Sequence, residues 1–186
     1  MERIGVVLLG IVLLGTLNGC GPKKFEYRYE NGTLKEQYFV VKDDEGEYVK
    51  EGAYTYWYKD GTKAMQTAYK NGEKHGTYSE WYENGKKKQE GTFNLGKIKG
   101  IWTKWHDNGQ KEAEINYRDG QLHGQHTSWS SQGRVRLTFN YNMGKLHGTC
   151  TYYAEDGKTL VQARYDNGKR VEILSGDPDK ASFLIK

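Results

Sequence analysis

The sequence predicts an all-β protein: an elongated antiparallel meander of 24-residue β-hairpin repeats that forms a single open, twisted, solenoid-like sheet. Three observations support this prediction. Glycine and aromatic residues recur every 24 residues, each period contains two glycine turn signals, and polar and apolar residues alternate between those turns. A fixed period of this length is typical of repeat proteins in which each unit packs on its neighbours.

The 24-residue unit starts at a glycine and runs without insertion through five copies, 52–75, 76–99, 100–123, 124–147 and 148–171. The sixth position is aromatic in every unit: Trp57, Trp81, Trp105, Trp129 and Tyr153. The eighteenth position is also aromatic: Tyr69, Phe93, Tyr117, Tyr141 and Tyr165. Turn glycines occupy the tenth and twenty-first positions: Gly61, Gly85, Gly109, Gly133, Gly157, Gly72, Gly96, Gly120, Gly144 and Gly168. Columns that stay in phase through all five copies indicate a structural role.

Each unit carries two turn signals. The first ends at the tenth position and reads KDG, ENG, DNG, SQG or EDG, and the second ends at the twenty-first and reads KNG, NLG, RDG, NMG or DNG. Asn-Gly and Asp-Gly favour the positive φ angles of tight hairpin turns. The segments between turns contain about eight residues, which is an ordinary strand length. We therefore expect two antiparallel strands per unit and a ten-stranded meander from five units.

The alternation predicts which face of the sheet is buried. In the second strand of a unit, the fourteenth, sixteenth and eighteenth positions are mostly apolar, as in Ala113, Ile115 and Tyr117, and Glu114 and Asn116 lie between them. A period of two with one apolar set predicts one dry and one solvated face. The fourth position of the unit, which lies in its first strand, always carries a hydroxyl group: Thr55, Ser79, Thr103, Thr127 and Thr151. We expect this position to share a face with the aromatic residue at the sixth position.

Residues 1–19 predict a signal peptide. Ile4 to Leu17 is an uncharged, mostly apolar run, which is short for a transmembrane helix and suits a signal core. The stretch LNGC, Leu17 to Cys20, resembles the lipobox of bacterial lipoproteins. This resemblance implies that Cys20 is diacylated and anchors the mature chain to the cell membrane or outer membrane, facing the periplasm or the exterior. The alternative is a plain secretory signal with a coincidental cysteine.

Both ends of the repeat region depart from the pattern. Residues 20–24 predict a short lipidated tether. Residues 25–51 predict a degenerate capping repeat, in which the extra residues Asp43 to Glu47 fit a longer loop. Residues 172–186 predict a C-terminal tail or cap, with Ser182 to Ile185 packed on the last strand. Terminal repeats of this kind commonly protect an open sheet edge.

The repeat columns resemble the MORN-type repeat, in the bacterial MORN-2 or YwqK-like antitoxin-component variant. The segment GTYSEWYENGKKKQEGTFNLGKIKG, Gly76 to Gly100, carries this resemblance most fully. Departures lie in the fourth unit, where His126 and Ser130 replace aromatic residues, and in the fifth, where Cys150 and Ala154 do. The resemblance implies an elongated β-meander, protein-binding or membrane-associated scaffolding, and no catalytic activity in the repeat itself.

Three histidines stand at the last position of their units: His75, His123 and His147. Equivalent residues in successive units are two strands apart, about 9–10 Å, whereas zinc ligands lie about 2 Å from the metal. We therefore predict that these histidines are structural, and we predict no metal, cofactor or catalytic residue. Cys150 is predicted to be a small buried side chain. The mixed charge, with 28 basic and 24 acidic residues, makes nucleic acid an unfavourable partner.

Three functions remain open from the sequence. The first is a non-catalytic, membrane-anchored scaffold that binds another envelope protein. The second is a glycan-binding lipoprotein of the cell wall, in which the aromatic rings facing away from the Trp column stack on sugars: Tyr56, Tyr58, Tyr82, Trp102 and Tyr152. The third is a YwqK-like antitoxin component that neutralises a toxin. A secreted lipoprotein fits the third function poorly, because an antitoxin usually meets its toxin in the cytoplasm.

Overall fold

The computed structural model describes residues 21–176, and this part of the chain is a single antiparallel sheet of fourteen strands without a helix. The strands are β1 (Lys23–Arg28), β2 (Leu34–Lys42), β3 (Tyr48–Trp57), β4 (Lys63–Lys70), β5 (Glu73–Trp81), β6 (Lys87–Asn94), β7 (Lys97–Trp105), β8 (Lys111–Arg118), β9 (Gln121–Trp129), β10 (Val135–Asn142), β11 (Lys145–Leu146), β12 (Gly148–Tyr153), β13 (Thr159–Asp166) and β14 (Lys169–Gly176). Neighbours in sequence pair throughout, and the two-residue β11 pairs with β10 beside β12. The predicted open all-β meander is confirmed.

The first turn of each unit closes a three-residue hairpin loop. In the first unit, Tyr58 N–H donates to the Thr62 carbonyl at 2.8 Å, and Gly61 N–H donates to the Tyr58 carbonyl at 3.0 Å. The Asp60 carboxylate accepts from Thr62 N–H at 2.8 Å. Only the glycine has a positive φ here, which is the pattern of a type I turn followed by a G1 bulge.

The second turn of each unit is a two-residue loop with positive φ at both positions. Asn71 has φ 50° and Gly72 has φ 80°, which defines the type I′ geometry that suits the twist of paired strands. The second and fourth units place Leu95 and Met143 in the left-handed region, each at φ 46°. Neither side chain favours that region, so the turn position is correctly predicted but two of its residues are strained.

The glycine that opens each unit marks a bulge. Gly76 has φ +82°, and pairing between β4 and β5 shifts there, from Ala68 opposite His75 to Gln66 opposite Ser79. Side chains with a Cβ rarely adopt this backbone conformation. The first column of the repeat is therefore a column of bulge glycines.

Aromatic and aliphatic side chains bury the predicted dry face. Tyr78 and Trp102 on first strands join Ala113 and Ile115 on a second strand in one cluster. A second cluster lies nearer the C-terminus and comprises Phe139, Cys150, Ala163 and Tyr165. Cys150 is buried as predicted. The odd positions of the first strands thus share the dry face with the even positions of the second strands.

The regions at both ends of the repeats also pair into the sheet. A turn of residues 43–47 joins β2 to β3, and Asp43 N–H donates to the Glu47 carbonyl at 2.9 Å. β14 pairs with β13 from Lys169 to Gly176, so the sheet continues into the first residues of the region predicted as a tail. The predicted signal peptide, Cys20 and the predicted packing of Ser182 to Ile185 lie outside the described residues.

Candidate functional site: the tryptophan face and the turn edge

The tryptophan column lies on the face opposite the buried clusters. A groove of about 410 Å³ on this face is lined by small side chains on three strands, Ala53, Ala68 and Thr77, and by Ser79 and Trp81. Ser79 and Trp81 therefore share a face, as the alternation predicted for the fourth and sixth positions. The tryptophan rings are half-buried, and they form a row along the solvated face of a sheet whose other face carries the core.

Lysines from one unit cover the tryptophans of the next. The ammonium groups of Lys63, Lys87 and Lys111 lie 5.5, 5.6 and 5.8 Å from the ring centres of Trp81, Trp105 and Trp129. Such cation–π contacts at exposed sites contribute about 0.5–1 kcal/mol each. A polar side chain three residues on holds each lysine in place: Gln66, Glu90 and Glu114, at 2.8, 2.5 and 2.6 Å. The exposed surface is therefore ordered by contacts that link successive units.

The groove is lined by residues of the first two units, whose second positions carry small side chains. The second position of the unit is Ala53 in the first copy and Thr77 in the second, but it is Ile101 in the third. Ile101 is 53% exposed. The same face thus changes from a concave site beside Trp81 to a protruding apolar side chain one unit later.

The turn edge carries a row of rings that was not predicted from the sequence. The residue at the seventh position of a unit reaches across to the backbone carbonyl at the sixth position of the next unit. The row comprises Tyr29 to Trp57 at 2.8 Å, Tyr58 to Trp81 at 2.7 Å, Tyr82 to Trp105 at 2.7 Å and His106 to Trp129 at 3.0 Å. We call Tyr29, Tyr58, Tyr82 and His106 the edge rings. The recurrence of an aromatic residue directly after the tryptophan was the available signal.

The edge rings act as hydrogen-bond donors. Burial raises the pKa of the Tyr58 and Tyr82 hydroxyls, and burial together with the Tyr56 hydroxyl raises the pKa of Tyr29 to about 12. These hydroxyls therefore keep their protons at neutral pH and donate to the carbonyls. His106 contacts the Trp129 carbonyl through Nε2, which requires the proton on that nitrogen because a carbonyl only accepts.

The structure corrects the predicted glycan-stacking platform. Trp102 is only 6% exposed and stacks on Tyr78 with ring centres 5.3 Å apart. Tyr152 packs edge-on against Phe139 at 4.7 Å. Tyr58 and Tyr82 are edge rings, and the Tyr56 hydroxyl meets that of Tyr29 at 3.3 Å. Within the described sheet, these five rings are used in packing or in hydrogen bonds between strands, and they do not form one exposed row.

The three repeated histidines lie beside the second turns. His147 Nδ1 is 3.3 Å from the Asp166 carboxylate, whereas Nδ1 of His75 and of His123 is buried without a partner among residues 21–176. No group of three or more His, Cys, Asp or Glu side chains in that range is placed to hold a metal ion. Backbone groups join the second turns to each other, as Gly96 N–H donates to the Lys74 carbonyl and Gly120 N–H to the Ile98 carbonyl, both at 2.9 Å.

Fold and contacts together define a β-hairpin repeat protein whose units are joined by side chains along both the tryptophan face and the turn edge. Within this class, residues 74–95, 98–119 and 146–172 match the model of a MORN repeat variant. Such repeats form non-enzymatic scaffolds and generally mediate contacts with proteins or membranes. The matched segments leave out residues 120–145, which contain His126 and Ser130. No curated protein matches the chain.

Proposed function

We propose that this chain is a non-catalytic, membrane-anchored scaffold whose tryptophan face binds another protein of the cell envelope. The observation that carries the proposal is the groove beside Trp81, with its small side chains and ordered tryptophan row. A concave site with an aromatic ring in its wall can receive an anchoring side chain of a protein partner. Enrichment of tryptophan is a further property of protein interfaces.

Nucleophilic chemistry is not supported by the described cysteine. Burial raises the pKa of the Cys150 thiol, and the side chain is 3% exposed within a core cluster. A thiol in that environment is poorly reactive, because the thiolate is the nucleophile and burial disfavours it. Its position in the second cluster instead supports a packing role.

The anchor in this proposal is a lipid on Cys20. β1 begins at Lys23, and three residues of extended chain span at most about 10–11 Å. A lipidated Cys20 would therefore keep the leading hairpin close to the bilayer surface, and the five repeats would extend from there into the periplasm or the exterior. Among residues 21–176, no helix is long and apolar enough to cross a membrane.

Site-specific crosslinking in intact cells tests the binding surface. A photoreactive side chain is placed at Thr77 in the groove, and the matched control carries it at Asp44, which is exposed in the β2–β3 turn. We expect one defined envelope protein to be captured from position 77 and not from position 44. With the crosslinker kept at position 77, Ala53→Arg would abolish this capture by filling the groove, and Ala53→Ser would preserve it. Equal capture from positions 77 and 44 would refute the proposed surface.

Fractionation tests the anchor separately. The chain with Cys20→Ser is expected to leave the membrane fraction and to lose incorporation of a labelled fatty acid, and the groove should be unchanged. If the Cys20→Ser chain remains in the membrane fraction and still incorporates the label, the anchoring part of the proposal is wrong.

A further inference from the structure

The row of edge rings is interrupted at one junction of the described sheet. Five equivalent carbonyls lie at the sixth position, those of Trp57, Trp81, Trp105, Trp129 and Tyr153. The first four accept a hydrogen bond from an edge ring of the preceding unit. The Tyr153 carbonyl faces the fourth unit, whose seventh position is Ser130, and it receives no side-chain hydrogen bond from the described residues.

Ser130 is committed to its own turn. Its Oγ accepts from Gln132 N–H and Arg134 N–H, both at 3.3 Å. In other units this turn contact is made by the residue equivalent to Gln132. Asn84 and Asn108 each accept a hydrogen bond from the N–H group two residues further along the chain. The short serine side chain thus completes the turn but does not extend toward the fifth unit.

A cavity lies at this junction, between the turn of the fourth unit and Glu155 of the fifth. It has a volume of about 280 Å³ and is lined by Ser130, Gln132, Arg134, Arg136 and Glu155. We call these five residues the notch. Binding pockets for small ligands start at about 300 Å³, so a cavity of this size suits one inserted side chain.

Arg136 places a cation in the wall of the notch. Arg136 is at the thirteenth position of its unit, and the corresponding Lys88 and Lys35 lie 5.8 and 5.5 Å from the ring centres of Tyr82 and Tyr29. In two units, therefore, the thirteenth position covers the edge ring. Arg136 is half-exposed and lies 3.6 Å from Glu155, whose side chain is 89% exposed. Such an ion pair is weak and leaves the guanidinium able to cover an incoming ring.

We propose that the notch binds a tyrosine side chain of a partner protein. The phenol ring takes the place of the missing edge ring, its hydroxyl donates to the Tyr153 carbonyl, and the Arg136 guanidinium lies over its face. Residues 1–20 and 177–186 contain no Tyr, Trp or His, so those segments of this chain cannot supply such a donor ring. This inference rests on the proposed protein-binding function and adds to it a second contact, away from the groove.

Amide-resolved NMR titration of the full purified chain tests the notch. The probe is N-acetyl-tyrosinamide, and N-acetyl-phenylalaninamide is the control because it has the ring without the hydroxyl. We expect saturable shifts at Ser130, Ala154 and Glu155, with about three- to tenfold tighter binding of the tyrosine probe, the ratio that one net hydrogen bond supplies. Equal affinity for the two probes, or shifts elsewhere only, would overturn the inference.

Three variants sharpen the test. Ser130→Tyr supplies the ring from within and should abolish binding of the tyrosine probe, whereas Ser130→Thr keeps the turn contact without a ring and should retain it. Arg136→Gln leaves the turn untouched and should weaken binding several-fold. Unchanged binding in Ser130→Tyr would refute the site. Since the crosslink from Thr77 does not depend on the notch, its persistence alongside failed probe binding would remove this inference and leave the proposed function standing.

Discussion

The dry face of the sheet is built differently in its N-terminal and C-terminal halves. Near the N-terminus, the Lys50 ammonium lies 4.7, 4.6 and 5.3 Å from the ring centres of Tyr38, Tyr54 and Tyr69, and 3.9 Å from the Glu36 carboxylate. The equivalent position holds Lys74 in the next unit. It then becomes aliphatic, as Ile98, Leu122 and Leu146, which pack against the two buried clusters.

This difference shows that one position in the hairpin unit can be filled in two ways. A lysine stem covers aromatic rings as an aliphatic side chain does, but its ammonium must find a favourable environment. Burial lowers the pKa of Lys50, and Glu36 acts in the opposite direction. The Lys50 cation is thus tolerated where tyrosines and a carboxylate surround it. The aliphatic residues belong to the junctions that bury Trp102 and Phe139.

The largest expected loss of stability comes from truncating a core side chain in the aliphatic half of the dry face. Trp102→Ala should lower the free energy of unfolding by about 3–5 kcal/mol, because it leaves a cavity against Tyr78, Phe93 and Ile115. Urea unfolding followed by far-ultraviolet circular dichroism measures the change. Trp102→Phe is the matched control and should lose less. A loss below about 1 kcal/mol for Trp102→Ala, at the low end for any core substitution, would contradict the assignment of this ring to the core.

The second largest loss of stability should come from placing a lysine where the C-terminal half has an aliphatic residue. Ile98→Lys places an ammonium against Phe93 and Trp102, where the residue corresponding to Glu36 is the uncharged Gln89. We expect a loss of about 1–3 kcal/mol in unfolding free energy, because a partly buried polar group lacks its partner. Ile98→Met is the matched control, because it keeps an unbranched stem without the ammonium, and it should lose less. Equal losses in Ile98→Lys and Ile98→Met would show that the charge is not what this position rejects.

The repeat phase was predictable because it depends on backbone requirements that only a few residue types meet. Glycines at Gly61, Gly72 and Gly76 mark conformations with positive φ, so the turns and bulges appear in the sequence as columns. The dry face of the second strands was predictable from alternation, as Ile115 and Phe139 confirm. These features are local in sequence, and local rules are sufficient to locate them.

Contacts between units were harder to predict because they join residues 11 to 28 positions apart. Two of the edge rings, Tyr58 and Tyr82, were predicted to be exposed aromatic residues, and the hydrogen bonds of all four to backbone carbonyls were not predicted. Trp102 was assigned to an exposed set, although its ring needs Gly91 opposite: a Cβ on Gly91 would lie 2.1 Å from Trp102 Cε3. That pairing requires the strand register and could not be derived from one column alone.

His126 lies at the boundary between the two halves and should make stability depend on pH. It sits opposite Ile115 on β8 and Phe139 on β10 and stacks on Tyr141. Burial, and secondarily the Lys104 charge, lowers its pKa below the usual 6.5. The unfolded chain therefore binds the proton more readily, so this contribution to stability is complete above about pH 6.5 and is lost as the pH falls through the window below it.

Melting temperatures across the range from neutral to mildly acidic pH measure this effect. The variant His126→Phe keeps a ring at the position and should show a shallower decrease in melting temperature on acidification. All other titratable groups are the same in the two chains, so the difference between the two curves isolates His126. Parallel curves for the two chains would mean that protonation of His126 does not lower the stability of the protein.

The smallest effect should come from removing the cation in the tyrosine half. Lys50→Met keeps an unbranched stem over Tyr38 and Tyr54 but loses the cation–π attraction and leaves Glu36 without its partner. The ammonium's desolvation is relieved at the same time, so the two changes oppose each other. We expect a net loss of less than about 1 kcal/mol in the free energy of unfolding, measured by urea unfolding. The control is Lys74→Met, which should lose less because Lys74 has no ion pair in the described sheet. If Lys50→Met instead stabilises the protein, desolvation of Lys50 outweighs its contacts with the rings and Glu36. The tyrosine half would then carry a lysine at a cost in stability, and the difference between the halves would have to be explained by something other than folding.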